Sequence, residues 1–363
     1  MAGQIWRLLD SPVVRALCTP MSVDDYLEVI NPLWSVHEIR ARIERVEQET
    51  ADAVSLYLRP NHNWTGHLAG QHVLFSIEVD GVRRQRCFSL SMAPGSDLLR
   101  LTVKRNGNGV VSNYLVDQAS VGERVWLSEA RGEFVLPTPR PEKLLMISGG
   151  SGVTPMLAMA QQLAAEGYQG DLQFLHYSRG YDDLIAGDEM RALATTYPWF
   201  NLKICVTEEE PREGDLGGFF SEEQLAEQIP DAAERDVLLC GPGGLMNAIQ
   251  ALHESTPFRS LAFEQFTGPG LLAADAGTGE GKVSFARSGV EADGNSAGSL
   301  LELAEQAGLN PESGCRMGIC HTCTCQVKSG TVRDLRNGQT RQLNDEAVQL
   351  CVHAAAGDVQ IEL

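Results

Sequence analysis

KLLMISGGSGVTPMLAMAQQLAAEG, Lys143–Gly167, is the stretch on which the fold turns. Its first part, KLLMISGG, is a short apolar run closed by glycines, the pattern of a strand buried on both faces. Its second part, TPMLAMAQQLAAEG, is longer, rich in good helix formers and ended by a glycine. Strand, glycine turn and helix in one piece predict a βα unit. The rhythm continues downstream: DLQFLHYS reads as a strand, DEMRALATTY as a helix and NLKICVT as a strand, and DVLLCGPGGLMNAIQALHES as strand, turn and helix. Such alternation predicts a parallel sheet wound with helices on both faces.

Upstream the period is different. Between Val36 and Leu136, IRARIERVEQ, AVSLYLRP, HVLFSIEVDG, RCFSLSMA, LLRLTVKR and RVWLSEA are short strand-like runs with turn signals between them. Spacing of about ten residues predicts an antiparallel barrel or sandwich. VLPTPRPEK, Val135 to Lys143, has three prolines in nine residues and marks the joint between the two regions. FTGPGLLAADAGTGEG, Phe266 to Gly281, is Gly/Ala-rich without an apolar period and reads as a flexible linker. The organisation expected is therefore an extension over 1–35, a barrel domain over 36–138, an α/β domain over 139–267, a linker over 268–281 and a C-terminal domain over 282–363. The extension carries short helical patterns such as VDDYLEVI; it is read as a cap, a docking arm or packing against the first domain.

Composition narrows the function. The 363 residues are 43% hydrophobic and 21% charged, as in a soluble globular chain of several domains. No apolar run reaches the roughly eighteen residues of a membrane span, and the start lacks a signal-peptide layout, so a cytoplasmic protein is expected. The net charge of −19 argues against nucleic-acid binding. Residues 1–137 carry 14 Lys/Arg and 16 Asp/Glu, residues 138–281 carry 8 and 22, and residues 282–363 carry 7 and 10. The acidic excess of the middle segment is a solvated surface or a docking face.

Nine cysteines are many, but they cluster, which points to metal ligation in a reducing compartment. CRMGICHTC, Cys315 to Cys323, holds three, and Cys351 follows in QLCVHAAAG. Four residues separate Cys315 from Cys320, two separate Cys320 from Cys323, and twenty-seven precede Cys351. This is the plant-type [2Fe–2S] spacing, with thiolates suited to soft iron–sulfur ligation. The other readings are a structural zinc site, which usually shows two tight ligand pairs, and buried free thiols. Cys325 and His321 fall outside the spacing and are expected to pack and to face solvent, respectively.

Three further stretches can hold phosphates. ISGGSGVTP, Ile147 to Pro155, follows a strand and opens a helix, where glycines and the helix N-terminus favour an anion. LLCGPGGLM, Leu238 to Met246, repeats the design and puts Cys240 and Gly241 at the carboxyl edge of the sheet. RCFSL, with Arg86, and KRNGNGVVSNYL, with Ser112 at a helix start, offer phosphate contacts from the first domain.

RCFS, GVVS, GGSGVTP and CGPGGLM, followed in order by FEQF (Phe263 to Phe266), resemble the ferredoxin–NADP reductase superfamily, and the cysteine-rich tail resembles plant-type ferredoxins. The resemblance covers residues 36–363 and is to the phthalate dioxygenase reductase type and to the reductase partners of acyl-CoA desaturases and hydroxylases. It implies an antiparallel β-barrel flavin domain, a doubly wound α/β nucleotide domain and an α+β plant-type ferredoxin domain. It implies that Arg86, Phe88 and Ser89 bind flavin, with Phe88 where tyrosine is usual. Gly109, Val111 and Ser112 match the pyrophosphate cradle of FAD. Gly149, Gly150, Gly152, Thr154 and Pro155 match the nicotinamide-nucleotide loop, Cys240, Gly241 and Pro242 the motif beside the nicotinamide, and Glu264 and Phe266 the acidic and aromatic pair near the flavin. Ser89, Cys240 and Glu264 are the catalytic candidates. Ser178 and Arg179 fall where the adenosine 2′ position is read, and an arginine there favours NADPH over NADH.

The implied activity is electron transfer from NAD(P)H through FAD to a [2Fe–2S] cluster ligated by Cys315, Cys320, Cys323 and Cys351. The implied acceptor is an oxygenase or desaturase protein, membrane-bound in the desaturase type, where the reductase would be peripheral to the membrane through its partner. A di-iron fatty-acyl desaturase or alkane-type hydroxylase comes first, because an extension such as 1–35 fits that type. A Rieske ring dioxygenase, a redox-sensing diaphorase and a non-enzymatic binding module are the alternatives.

Overall fold

The structure, a computed structural model, describes residues 2–107, 109–266, 281–294, 298–314, 316, 318, 321–336 and 338–363. Two compact units divide the chain, one ending at Glu264 and the other beginning at Gln265. The expected linker over 268–281 lies outside the described residues except for Gly281.

The first unit opens with three short helices, α1 (Ala2–Leu9), α2 (Pro12–Cys18) and α3 (Val23–Ile30). Sequence punctuation sets their bounds. Ser11 accepts from Val14 N ahead of Pro12, and Ser22 forms a reciprocal capping box with Asp25.

Six antiparallel strands follow: β1 (Ile39–Thr50), β2 (Ala53–Pro60), β3 (His72–Val79), β4 (Val82–Ser89), β5 (Leu99–Lys104) and β6 (Arg124–Leu127). Their order is β4-β3-β6-β1-β2-β5, and a bridge between Leu90 and Leu101 joins the two edges, which makes the sheet a barrel. The β3–β4 hairpin turns on Asp80 and Gly81, both at positive φ, as a two-residue turn with the right twist requires. Alternate residues fill the interior, with Ile43, Leu56, Phe75 and Leu101 fully buried. Helix α4 (Val110–Asp117) closes the barrel by adding Val111 and Leu115 to that core.

The α/β half of this unit is a six-stranded parallel sheet. Its strands are β7 (Lys143–Gly149), β8 (Asp171–Ser178), β9 (Phe200–Val206), β10 (Leu216–Gly217), β11 (Asp236–Cys240) and β12 (Ser260–Glu264), in the order β10-β9-β8-β7-β11-β12. Four helices are interleaved: α5 (Val153–Glu166), α6 (Gly187–Thr196), α7 (Glu222–Gln228) and α8 (Gly243–Ser255). Leu144, Leu145, Met146 and Ile147 are all buried, so both faces of β7 are covered. Helices α7 and α8 cover the face that carries Ile147, Leu175 and Leu239. The chain builds outward from β7 in both directions, so the switch point lies between β7 and β11, where the loops leaving the two strands part and a ligand can enter.

Barrel and sheet are tied by polar contacts. Arg100 of β5 pairs with Glu189 of α6 at 2.7 Å, Gln161 of α5 accepts from Ala93 N at 2.8 Å, and Glu49 accepts from Ala186 N at 3.1 Å.

The second unit is a five-stranded mixed sheet of β13 (Lys282–Phe285), β14 (Val290–Asp293), β15 (Thr324–Asp334), β16 (Thr340–Gln349) and β17 (His353–Ile361), in the order β14-β13-β17-β15-β16. Strands β13 and β17 are parallel, and the other pairs are antiparallel. Helix α9 (Leu300–Gln306), started by a Ser299–Glu302 capping box, buries Leu300, Leu301 and Leu303 against the sheet.

Candidate electron-transfer site

The carboxyl ends of β11 and β12 meet the start of β3 and the end of β4. Ser89 is buried at the end of β4, opposite His72 at the start of β3. The Ser89 hydroxyl donates to Glu264 Oε2 at 3.2 Å, and His72 Nδ1 meets Glu264 Oε1 at 3.2 Å. Glu264 ends β12 and pairs in register with Cys240, the last residue of β11. Burial, with Glu264 adding to it, pushes the Cys240 thiol well above its ordinary range, so it is uncharged. Two barrel residues and two sheet residues, distant in sequence, thus form one nearly dry polar cluster. The three catalytic candidates, Ser89, Cys240 and Glu264, come together here, and His72 joins them unforeseen. The only signal for it was a polar residue just ahead of the apolar run Val73–Phe75.

The flavin candidates lie along the adjacent rim. Phe88 packs edge-on to Phe75 at 5.7 Å, so its ring is rooted in the barrel core. Arg86 is half-buried, and its guanidinium donates to the Gln85 carbonyl at 2.6 Å. Gly109 caps α4, and a Cβ there would fall 2.6 Å from Ser112 Oγ and 2.9 Å from the Asn106 carbonyl. Val111 belongs to the barrel core, so any contact it makes with a phosphate is through its backbone N–H. Ser112, nearly buried, donates to the Gly109 carbonyl at 3.2 Å. A tight glycine turn on an open helix N-terminus is a cradle for a pyrophosphate.

On the sheet side the two glycine loops interlock. A Cβ on Gly149 would stand 2.7 Å from Pro242 Cδ, and one on Gly241 would stand 3.0 Å from Gly149 N. Gly150 takes φ +53°, and Thr154 donates to the Ser151 carbonyl at 2.9 Å. Pro155 occupies the first turn of α5, where no N–H is needed.

These loops form the floor of a cleft of ≈ 580 Å³ that is also lined by Lys104, Ser178, Arg179, Asp183 and Phe219. Arg179 donates from Nε and Nη2 to Asp183 at 3.0 and 2.9 Å, and Nη2 lies 3.5 Å from Asp52. Lys104 bonds the same two carboxylates, reaching Asp52 at 3.3 Å. Burial raises the Asp183 pKa, but hydrogen bonds from Arg179 and Lys104 outweigh it and hold the carboxyl below its usual range. Ser178 is buried and donates to the Gly180 carbonyl at 2.9 Å. Lys104, Asp52 and Asp183 were not foreseen, because they come from three separated stretches and converge only in the fold. Phe266 falls two residues past β12, at the start of the second unit, and is half-buried.

In the second unit Cys323 and Cys351 are buried in one apolar cluster, and Leu350 N donates to the Cys323 carbonyl at 3.1 Å. Cys315 and Cys320 lie outside the described residues. Gly318 and Arg316 between them are described, and both have positive φ. The Gly318 carbonyl accepts from Gln349 at 2.7 Å, and Arg316 pairs with Glu305 of α9. Two sheltered thiols at converging element ends, beside a left-handed turn, fit an iron–sulfur cluster. Cys325 donates to the Glu362 carbonyl at 3.4 Å and packs against the core, and His321 is exposed.

Comparison with known proteins agrees with this layout. Family profiles match an oxidoreductase FAD-binding domain over residues 41–136, an oxidoreductase NAD-binding domain over 146–251 and a 2Fe-2S iron-sulfur cluster binding domain over 283–356. An NADPH oxidoreductase of Mycobacterium tuberculosis is 35% identical over 99% of this chain and 93% of its own length. A glycine betaine monooxygenase reductase subunit of Chromohalobacter salexigens is 28% identical over 94% of this chain and 100% of its own. The solved structure of phthalate dioxygenase reductase superposes with a TM-score of 0.63 at 25% identity, covering 90% of this chain and 98% of that one.

Proposed function

The chain belongs to the FAD- and NAD-binding oxidoreductases that carry a 2Fe-2S iron-sulfur cluster binding domain, and on that premise we propose that it feeds electrons from NADPH to an oxygenase-type partner. A bound flavin would supply the exchange between a two-electron hydride and single electrons, and a bound [2Fe–2S] group would supply one-electron transfer. The residues present fit both groups. Arg86, Gly109 and Ser112 would hold the flavin phosphates, and Cys315, Cys320, Cys323 and Cys351 would hold the cluster.

The observation that carries the reading is the cluster of His72, Ser89, Cys240 and Glu264. It joins the edge of the flavin domain to the edge of the nucleotide sheet, where donor and acceptor must meet. Glu264 accepts the Ser89 hydroxyl at Oε2 and meets His72 at Oε1, so the three polar side chains hold one another in place at the junction. Cys240, kept neutral by burial, adds no charge to that wall. Glu264→Gln and Ser89→Ala should each slow anaerobic reduction of the flavin by NADPH about 10- to 100-fold, the scale of a lost proton-handling group, with FAD content unchanged. Unaltered reduction rates in both variants would overturn this assignment.

Among acceptors, a membrane-embedded di-iron fatty-acyl desaturase or alkane-type hydroxylase comes first, supported by the extension over 1–35, with the reductase on the cytoplasmic side. A Rieske-type oxygenase comes second, supported by the likeness to reductases of a monooxygenase and a dioxygenase. Reconstitution of turnover with each acceptor class decides between them.

A further inference from the structure

The turn after β15 brings a cation to the cysteine loop. Asp334 ends β15 and pairs in register with His353, and the ladder runs one step further, with Leu335 N donating to the Val352 carbonyl at 2.9 Å. Val352 belongs to the short 3-10 turn Leu350–Val352 that carries Cys351, so the two turns are held together. Asp334 then folds the chain back: its Oδ1 accepts from Arg336 N at 2.9 Å, the bond of an aspartate-led turn. Its backbone bonds Gly338 and Gln339 at 2.8 and 2.9 Å.

Asp334 also aims the Arg336 side chain. Nε donates to Oδ1 at 3.0 Å and Nη2 to Oδ2 at 2.7 Å, so the carboxylate takes one edge of the planar guanidinium and leaves Nη1 on the other. Nη1 lies over Gly318, between Cys315 and Cys320 in the chain: a Cβ built on that glycine would stand 3.5 Å from Nη1 and 2.9 Å from Val352 Cγ1. Bonding to Asp334 raises the Arg336 pKa, and Cys351 adds to the rise through space. Arg316, inside the loop, instead turns both terminal nitrogens to Glu305 of α9.

The Arg336–Asp334 pair is thus a dipole whose positive end faces the cysteine loop. We propose that Arg336 raises the reduction potential of the [2Fe–2S] group and that Asp334 is the residue that positions it to do so. An added electron makes the site one charge more negative, and a cation beside it favours that state. Asp334 opposes the effect, but it stands on the far edge of the guanidinium, and the Coulomb interaction falls with distance. The effect is partial, because the Arg336 side chain is 45% exposed and water and salt screen it.

This role rests on the [2Fe–2S] reading of the four cysteines, and one experiment tests the two apart. It is an anaerobic redox titration of the full-length holoprotein, followed by EPR, in wild type, Arg336→Lys and Arg336→Gln. Arg336→Gln should lower the equilibrium constant for cluster reduction about three- to tenfold, a fall of about 28–59 mV for one electron. Arg336→Lys keeps the charge and should stay near wild type. Raising the ionic strength should shrink the gap between wild type and Arg336→Gln. A potential unmoved in Arg336→Gln, an equal fall in both variants, or a gap that salt leaves unchanged overturns the tuning role. Loss of the cluster in either variant does too, because Arg336 would then serve assembly and not potential. A wild type with no [2Fe–2S] signal overturns the cluster reading itself, and this role with it.

Discussion

Gly152, in the loop after β7, approaches the end of β11 so closely that a Cβ on it would fall 2.1 Å from the Cys240 carbonyl oxygen and 2.5 Å from its carbon. The obstacle is backbone, which cannot rotate away. The glycine is therefore required by packing between two strand ends, independently of any nucleotide.

Gly152→Ala should accordingly separate the two loops, cost about 1–3 kcal/mol of stability and raise KM for NADPH. Gly150 is the contrast: no atom lies within 4 Å of the ideal Cβ, and only its φ of +53° resists substitution, so Gly150→Asn should be much milder. Thermal unfolding and NADPH titration of both variants check the ordering.

Nucleotide choice depends on Arg179. Its guanidinium is already paired with Asp183 and Asp52 and its side chain is 58% exposed, so much of its interaction with a 2′-phosphate is screened. Arg179→Ala should weaken NADPH by about 1.5 kcal/mol, the lower end for a charged hydrogen bond, and leave NADH nearly unchanged. Equal losses for both nucleotides, or a wild type that prefers NADH, would refute the 2′-phosphate assignment.

His176 predicts an acid-side weakness. It is fully buried on β8, its Nδ1 bonded to Ser148 at 2.7 Å, and burial pushes its pKa down from 6.5 to about 3. The unfolded chain binds this proton below its ordinary pKa while the folded chain does not until about pH 3. The stabilisation is therefore present above 6.5 and lost as the pH falls towards 3, at up to about 1.4 kcal/mol per pH unit. Urea unfolding at pH 7.5 and pH 5 should show a larger loss in wild type than in His176→Leu, by about 2 kcal/mol. A pH dependence unchanged by the substitution contradicts the buried neutral histidine.

The layered organisation was legible because each region has its own period. Alternating runs of the barrel, apolar strands with glycine turns, and cysteine spacing are local signals. The glycine loops were legible for the same reason, although the chemistry alone did not reveal that Gly149 and Gly152 are locked against Pro242 and Cys240. Barrel and sandwich could not be told apart from strand lengths, since closure rests on the single bridge from Leu90 to Leu101. His72, Lys104 and Asp183 escaped notice because each is an ordinary polar residue until the fold brings it beside Glu264 or Arg179. The orientation of α3 was equally hidden: Leu27 is buried, and Arg40 and Arg124 draw Glu28 toward the barrel, which only the fold reveals.

In the proposed relay, electrons run from NADPH through flavin to a cluster held by four cysteines. Its most direct test is low-temperature EPR, with the flavin absorbance recorded in parallel, on anaerobic protein reduced by NADPH, comparing wild type with Cys351→Ser. Wild type should give a reduced [2Fe–2S] signal. In Cys351→Ser that signal should disappear while the flavin is still bleached by NADPH and ferricyanide reduction persists. A wild type whose flavin is reduced but which yields no cluster signal, or a Cys351→Ser variant that retains it, would contradict the relay.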